Sequence, residues 1–277
     1  MKLRIATLVC VYAGDSAELF GAALRSILEQ RFRPGIESRV YLGIDGQVSA
    51  ALERVIGEHA DHLFVTLRCE VNRGLAHTLN ALIARLTDEE FVFRMDADDV
   101  SLPERYQAQL DHLLTHPEID ILGTAITEID VTTGEQRKVS FCVGPKDAAA
   151  RIHRRVPVAH PTVCFRAAVL RAVKGYPVVG TNEDVALWFE CMRLGFRFDN
   201  LPQSLLHFRI SEGFWKRRSY EKARSEFMCY LRGIYAIDGP FTLKYVFPLL
   251  RLCVRLSPIF VTRWAYRSSF RLGGDAP

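Results

Sequence analysis

The sequence predicts an α/β fold, with a mostly parallel sheet flanked by helices and a helical, basic tail behind it. Three observations predict this. Across the first hundred residues, short apolar runs alternate with amphipathic stretches of helical period, the mark of βαβ units joined by right-handed crossovers. The opening run, Leu3 to Val11, is nearly continuous in apolar residues, as a strand buried on both faces is. The composition of the 277 residues, 49% hydrophobic, 25% charged and 10% aromatic, suits a globular chain with room for a core. It excludes a disordered segment, a collagen-like repeat and a small disulfide scaffold.

Each element follows from local signals. After the first strand, Asp15 and Glu18 resemble a capping pair that opens a helix, with Leu19, Phe20, Ala23, Leu24, Ile27 and Leu28 facing inward. Pro34-Gly35 closes that unit. Arg39 to Asp45 is a second strand and Val48 to His59 a second helix. His62 to Cys69 and Gly74 to Leu86 repeat the pattern, and Phe91 to Met95 is a fourth strand that stops at Asp96. The rhythm then changes. Pro103 to His116 is a helix with proline at its start, followed by strand-like Ile119 to Ile129, a Thr132-Thr133-Gly134 turn and an extended run from Arg137 to Val143. Lys146 to Arg155 reads as helical, Thr162 to Phe165 as a short strand, Glu183 to Leu194 as a helix and Leu205 to Ile210 as a strand. One α/β domain is expected over residues 1–213 and the tail over residues 214–277.

Charge divides the chain at the same place. From Phe214 onward there are 12 Lys and Arg against 4 Asp and Glu, so the body holds 24 basic and 28 acidic groups. A mildly acidic body with a basic tail points to an anionic partner for the tail, lipid or nucleic acid. The seven cysteines form no CxxC pair, which suits a reducing cytosol and small buried thiols. Lys2 and Arg4 before an apolar run could pass for a signal peptide, but Asp15 and Glu18 follow at once, so a first strand is expected. No run of 18 uncharged apolar residues marks a spanning helix.

The chemistry gathers at strand ends. Asp96-Ala97-Asp98-Asp99 follows an apolar strand, where open parallel sheets bind ligands. Three carboxylates in four residues repel one another unless a cation lies among them. A hard divalent ion shared with substrate phosphates is the natural counter-charge, whereas capping the following helix would need one acid. Asp45-Gly46 closes the second strand, either as a plain turn or as a carboxylate for a base or ribose. Asn72-Arg73-Gly74-Leu75 opens a helix, so Arg73 and the helix N-terminus could hold phosphate. Tyr12, at the end of the first strand, could stack on a base or line the core. Asn182-Glu183-Asp184 reads locally as an N-cap with an acidic first turn. His112 and His116 stand at i and i+4 but lack a third ligand and read as structural.

Taken in order, Val9-Cys10-Val11-Tyr12, Ile44-Asp45-Gly46, Asn72-Arg73-Gly74-Leu75-Ala76, Arg94-Met95-Asp96-Ala97-Asp98-Asp99, Leu102-Pro103-Glu104-Arg105, His160-Pro161-Thr162-Val163, and Glu183-Asp184 with Leu187-Trp188 form a specific series. The chain resembles the nucleotide-sugar glycosyltransferases of family 2, with their GT-A fold, over residues 3 to about 212. It is most similar to the bacterial members that build exopolysaccharide, capsule or lipopolysaccharide. One departure is Ile44, where the family often carries an acid beside that of Asp45. The resemblance implies that Asp45 reads the base, that Arg94 and Asp96 position the nucleoside, and that Asp98 holds Mg²⁺ or Mn²⁺ on the diphosphate. It also implies inversion at the anomeric carbon with Asp184 as the base, and makes Arg209 a candidate second clamp on the diphosphate. His207 is a candidate for the metal or the acceptor. A nucleotidyltransferase would show a Gly-rich basic loop after the first strand, and Ala13-Gly14-Asp15 is short and acidic. A non-catalytic nucleotide-binding module would lack the base or a metal carboxylate, and both are present.

In the tail, apolar residues from Phe241 to Val261 are interrupted by Lys244, Pro248, Arg251, Arg255 and Pro258, and Arg263, Trp264, Tyr266, Arg267, Phe270 and Arg271 follow. Such a mixture suits segments lying in the headgroup layer of an anionic membrane, or else helices packed back on the body. No recognition motif for nucleic acid accompanies the charge. The expectation is a peripheral protein on the inner face of the cytoplasmic membrane, with a nucleotide-sugar donor and a glycan or lipid-linked acceptor.

Overall fold

The computed structural model describes residues 2–210 and 220–257. The first half is built as the sequence suggests: β1 (Leu3–Tyr12), α1 (Ala17–Leu28), β2 (Ile36–Asp45), α2 (Ala50–Glu58), β3 (Leu63–Cys69), α3 (Leu75–Ile83) and β4 (Phe91–Met95). These strands are parallel in the order β3-β2-β1-β4. The chain therefore runs outward from β1 to β3 and returns across it to β4, which makes a topological switch point between the carboxyl ends of β1 and β4. Ala6 and Leu8 of β1 pack into one apolar cluster and Val9 and Val11 into the opposite one, which is why the strand reads as an unbroken apolar run. The cap of α1 differs from expectation. Ser16 is the N-cap, accepting from the Leu19 N–H, while Asp15 turns back to accept from the Tyr12 N–H. A serine hydroxyl one residue before the helix reaches the free N–H groups that Asp15, one residue further out, does not.

The second half is mixed: β5 (Val100–Ser101), α4 (Arg105–Thr115), β6 (Ile121–Asp130), β7 (Gln136–Val139), α5 (Pro145–Arg151), β8 (Cys164–Arg166), α6 (Ala167–Ala172), α7 (Glu183–Arg193) and β9 (Phe198–Ile210). The sheet continues β4-β8-β6-β9-β5, with β7 on the side of β6. β6 and β9 are parallel, whereas β8 is antiparallel to both β4 and β6. β9 starts well before Leu205, because Phe198 to Leu201 pair with β6 despite their mixed polarity. β5 has too few residues for any periodic signal. Its pairing sets Val100 opposite His207 and Ser101 opposite Leu206, and so brings the acidic segment against β9.

Two helices follow, α8 (Tyr220–Asp238) and α9 (Val246–Leu256). α8 packs on α7. Gly233 lies so near the Phe189 ring that a Cβ there would approach it to 2.1 Å, and Phe189 meets Tyr230 edge to face at 5.5 Å. Tyr230 and Ile234 are fully buried in the same apolar cluster as Trp188. α9 is tied to α8 through Glu226, yet leaves Val246, Leu249, Leu250 and Leu256 exposed; Phe241 and Leu243, just before it, are 98% and 92% exposed. No helix among the described residues is long and apolar enough to cross a membrane. Arg263, Trp264, Tyr266, Arg267, Phe270 and Arg271 lie outside the described residues.

Candidate active site

The strand-end acids take three different positions. Asp96 forms an ion pair with Arg94. Asp99 is fully buried, and its Oδ1 accepts from the Arg209 N–H at 2.9 Å while Oδ2 has no partner. Burial, and then the charges of Asp96 and Asp98, hold the Asp99 carboxyl well above the usual carboxylate range. Asp98 lies between them, partly exposed. Ligand oxygens of all three acids come within 4.8 Å of one another, and among the described residues no other trio of His, Cys, Asp or Glu does so. A cluster of hard oxygen donors with one buried oxygen unpartnered fits a divalent cation. His207 is not in this group. The β5 register seats it against Val100, and it is Arg209, two residues on, whose N–H reaches Asp99. The Arg209 guanidinium lies close to the backbone oxygens of Leu19 and Asp99, and its Nε is buried without a partner, which leaves it able to donate to an anion beside the acids.

Asp45, at the end of β2, is 4% exposed and accepts from the N–H groups of Arg73 and Gly74 at 2.9 Å each. It thereby holds the loop into α3, whose N-cap Gly74 has φ +92° and no side chain to offer. A carboxylate has lone pairs beyond these two bonds, so the same residue can still meet a base. The Arg73 side chain is exposed. Tyr12 is 37% exposed, opposite Asp45 in the β1–β2 register. Its ring covers Gly14, where a Cβ would come within 2.6 Å of it.

On the other side of the switch point lies a buried cluster around Arg94. The residue is 3% exposed, and its Nε and Nη1 lack partners. Burial opposes its charge, and the Asp96 carboxylate more than offsets this. Next to it the His160 Nε2 and Tyr176 hydroxyl lie 2.9 Å apart, with the imidazole held neutral by burial and by the Arg94 charge. Asn80 fixes Tyr176 by bonding both its N–H and its carbonyl. Glu183 and Asp184 start α7 facing this cluster. Desolvation, then the neighbouring Glu183 charge, push Asp184 up to about 7; desolvation also raises Glu183. An acid poised there is half ionised near neutrality and is suited to accept a proton.

Several motif residues prove to be braces. Arg105 is fully buried and bonds the Arg94 carbonyl and Gln109, fixing the end of β4. The Thr162 hydroxyl accepts from the Thr124 N–H, and the Val163 carbonyl accepts from the Arg94 N–H. His112 bonds Asp199 and stacks on His116, a structural pair as expected. Asn182 occupies the N-cap position of α7, but with φ 65° and no capping bond from its side chain. Tyr176 carried no signal in the sequence, because only the fold brings it to Arg94, and Glu183, legible as part of an acidic first turn, is brought to Arg94 by the same packing. A cavity of about 800 Å³ lies apart from the acids, lined by Tyr176, Ala186, Phe189, Ser225, Met228 and Arg232 among others.

The family described as "Glycosyl transferase family 2" matches residues 8–174 of this chain. The amylovoran biosynthesis glycosyltransferase AmsE of Erwinia amylovora is 30% identical over 94% of this chain and 96% of its own length. A UDP-Gal:alpha-D-GlcNAc-diphosphoundecaprenol beta-1,3-galactosyltransferase of Escherichia coli is 27% identical over 97% of both chains. Among solved structures, S. aureus TarS 1-349 superposes with a TM-score of 0.65 at 17% identity, covering 97% of this chain and 73% of that one; its complex with UDP gives 0.63 at 18% over 99% and 76%. The mannosyltransferase PcManGT from Pyrobaculum calidifontis, in complex with GDP-Man and Mn²⁺, gives 0.63 at 17% over 98% and 83%.

Proposed function

We propose, from the premise that this chain belongs to glycosyl transferase family 2 and has the GT-A fold, that it moves a sugar from a UDP-sugar to a hydroxyl of a glycan or lipid-linked glycan, with inversion, in cell-surface polysaccharide synthesis. The observation that carries this reading is that one buried arginine, Arg94, acts both on Asp184, raised to about 7, and on Asp96 of the Asp96, Asp98 and Asp99 cluster. Inversion needs one base on the acceptor side and a site for the leaving diphosphate on the other. Asp184 takes the proton of the acceptor hydroxyl as its oxygen attacks the anomeric carbon and the bond to the diphosphate breaks. Arg209, beside the acids, and the exposed Arg73 at the head of α3 offer positive charge to the departing group. Asp45 and Tyr12 flank the place for the base, while Arg94 and Asp96 border the nucleoside. Asp98, with Asp96 and Asp99 near it, would hold Mg²⁺ or Mn²⁺, an ion that lowers the energy of the leaving diphosphate when bound.

The exposed apolar residues of α9, and the basic residues of the tail, support attachment to an anionic membrane surface on the cytoplasmic face. The E. coli relative, whose name specifies a diphosphoundecaprenol acceptor, gives such attachment a purpose. The test is a panel of UDP-, GDP- and dTDP-sugars with Mn²⁺, read by thermal shift, by donor hydrolysis and by the anomeric configuration of the product. A UDP-sugar that binds and yields the inverted anomer is expected; retention of configuration, or no binding of any nucleotide sugar, overturns the reading.

A further inference from the structure

Asp184 follows a turn whose local bonds are the Asn182 amide donating to the Thr181 hydroxyl and the Ala186 N–H donating to the Asn182 carbonyl. Asn182 sits at φ 65° and ψ 36°, in the left-handed region that L-residues rarely adopt, and its side chain caps nothing. The turn is also held from outside, by α8. The Ser225 hydroxyl donates to the Thr181 carbonyl at 3.2 Å, and the Cys229 thiol donates to the Asn182 carbonyl at 3.8 Å. Ser225, Cys229 and Gly233 are spaced by four and share one face of α8. With Gly233 against the Phe189 ring, that face lies close enough to α7 for the two short side chains to reach the turn.

Behind this face stands Glu226, 6% exposed, whose charge acts on Asp184. α9 neutralises it: Arg251 Nη1 lies 3.1 Å from one carboxylate oxygen and Arg255 Nη2 2.8 Å from the other. Arg251 also covers the Tyr230 ring at 4.6 Å and donates to the Arg154 carbonyl.

We propose that Ser225 and Cys229 are positioning residues for the Asp184 carboxylate, and that the Glu226–Arg251–Arg255 cluster behind them adjusts the charge this carboxylate experiences. The tail helices are thus part of the catalytic apparatus as well as the segment that faces outward. This inference rests on Asp184 as the base. The charged groups facing Asp184 are Glu183 on its own helix, Arg94 from β4 and Glu226 from α8, and the neutral titratable groups beside it are the Tyr176 hydroxyl and, from α8, the Cys229 thiol and Tyr230 hydroxyl. Removing the Glu226 charge makes the Asp184 anion easier to form; removing its arginines makes it harder.

The experiment uses the full chain with Mn²⁺ and the UDP-sugar found most active. Ser225→Ala with Cys229→Ala is expected to lower kcat about 10-fold or more at unchanged donor KM, with faster amide exchange in residues 180–186. Ser225→Thr with Cys229→Ser, which keeps both donors, is expected to restore most of kcat. Glu226→Gln is expected to move the acid limb of the kcat profile to lower pH, and Arg251→Gln with Arg255→Gln to higher pH. Unchanged kcat and unchanged exchange in the double alanine variant overturn the positioning role; an acid limb unmoved by both charge variants overturns the electrostatic one. Asp184→Asn measured alongside separates the two levels. If it is inactive while the α8 variants behave as wild type, only this inference falls; if it keeps full turnover, the base assignment falls and takes this inference with it.

Discussion

Replacing Asp184 by Asn should stabilise the protein above neutral pH while removing its activity. The carboxyl is raised from its ordinary 3.8 to about 7, first by desolvation and then by Glu183. Folding therefore makes the anion harder to form than it is in the unfolded chain. Below pH 3.8 both states are protonated and nothing is lost. As pH rises toward 7 the unfolded state gives up its proton first, and the folded state is progressively penalised. Above 7 the penalty is complete. At about 1.36 kcal/mol per pH unit, its ceiling is roughly 4 kcal/mol. Asn retains an oxygen for the Val185 N–H and carries no charge. Urea unfolding of wild type and Asp184→Asn, without nucleotide, measured from pH 4 to 9, gives the answer. The two curves should nearly coincide at pH 4, diverge through the interval up to 7 and run parallel beyond it, with the variant more stable. Turnover at pH 8 should fall about 10²- to 10⁴-fold. A stability difference independent of pH, or a less stable variant at pH 8, would refute the account of an anion strained by burial.

Three further outcomes are expected. Asp98→Ala should abolish the Mn²⁺-dependent part of the thermal shift caused by UDP; a shift that keeps its metal dependence removes Asp98 from the ligand set. Asp45→Ala leaves the Arg73 and Gly74 N–H groups without their acceptor and should cost about 1–3 kcal/mol in urea unfolding, along with donor affinity. Exchanging Phe241 and Leu243, which are almost fully exposed, for Ser should reduce flotation with anionic liposomes while leaving thermal stability within about 1 kcal/mol. Equal flotation of variant and wild type would place any lipid contact elsewhere.

Local signals in the sequence were enough for much of this molecule. Four apolar runs with helical segments between them specify the β1 to β4 half, because each run is short and bounded and each helix has one apolar face. The acids of residues 96–99 announce their chemistry because their mutual repulsion needs an answer, whatever surrounds them. Local pattern was insufficient where pairing partners are distant in the chain. β5 has two residues and no period of its own; it is a strand only because β9 lies beside it, and that pairing joins Arg209 to Asp99. The acid at position 184 reads in isolation as an ordinary first-turn residue. Burial, and then the neighbouring Glu183 charge, raise it to about 7 against the opposing pull of Arg94, and burial is a property of the assembled fold. The tail's charge and apolar content were visible from composition, but composition could not assign them. Tertiary packing divides them physically, with Tyr230 and Gly233 pressed onto α7, Glu226 matched to two arginines, and Phe241 and Leu243 left to the solvent side.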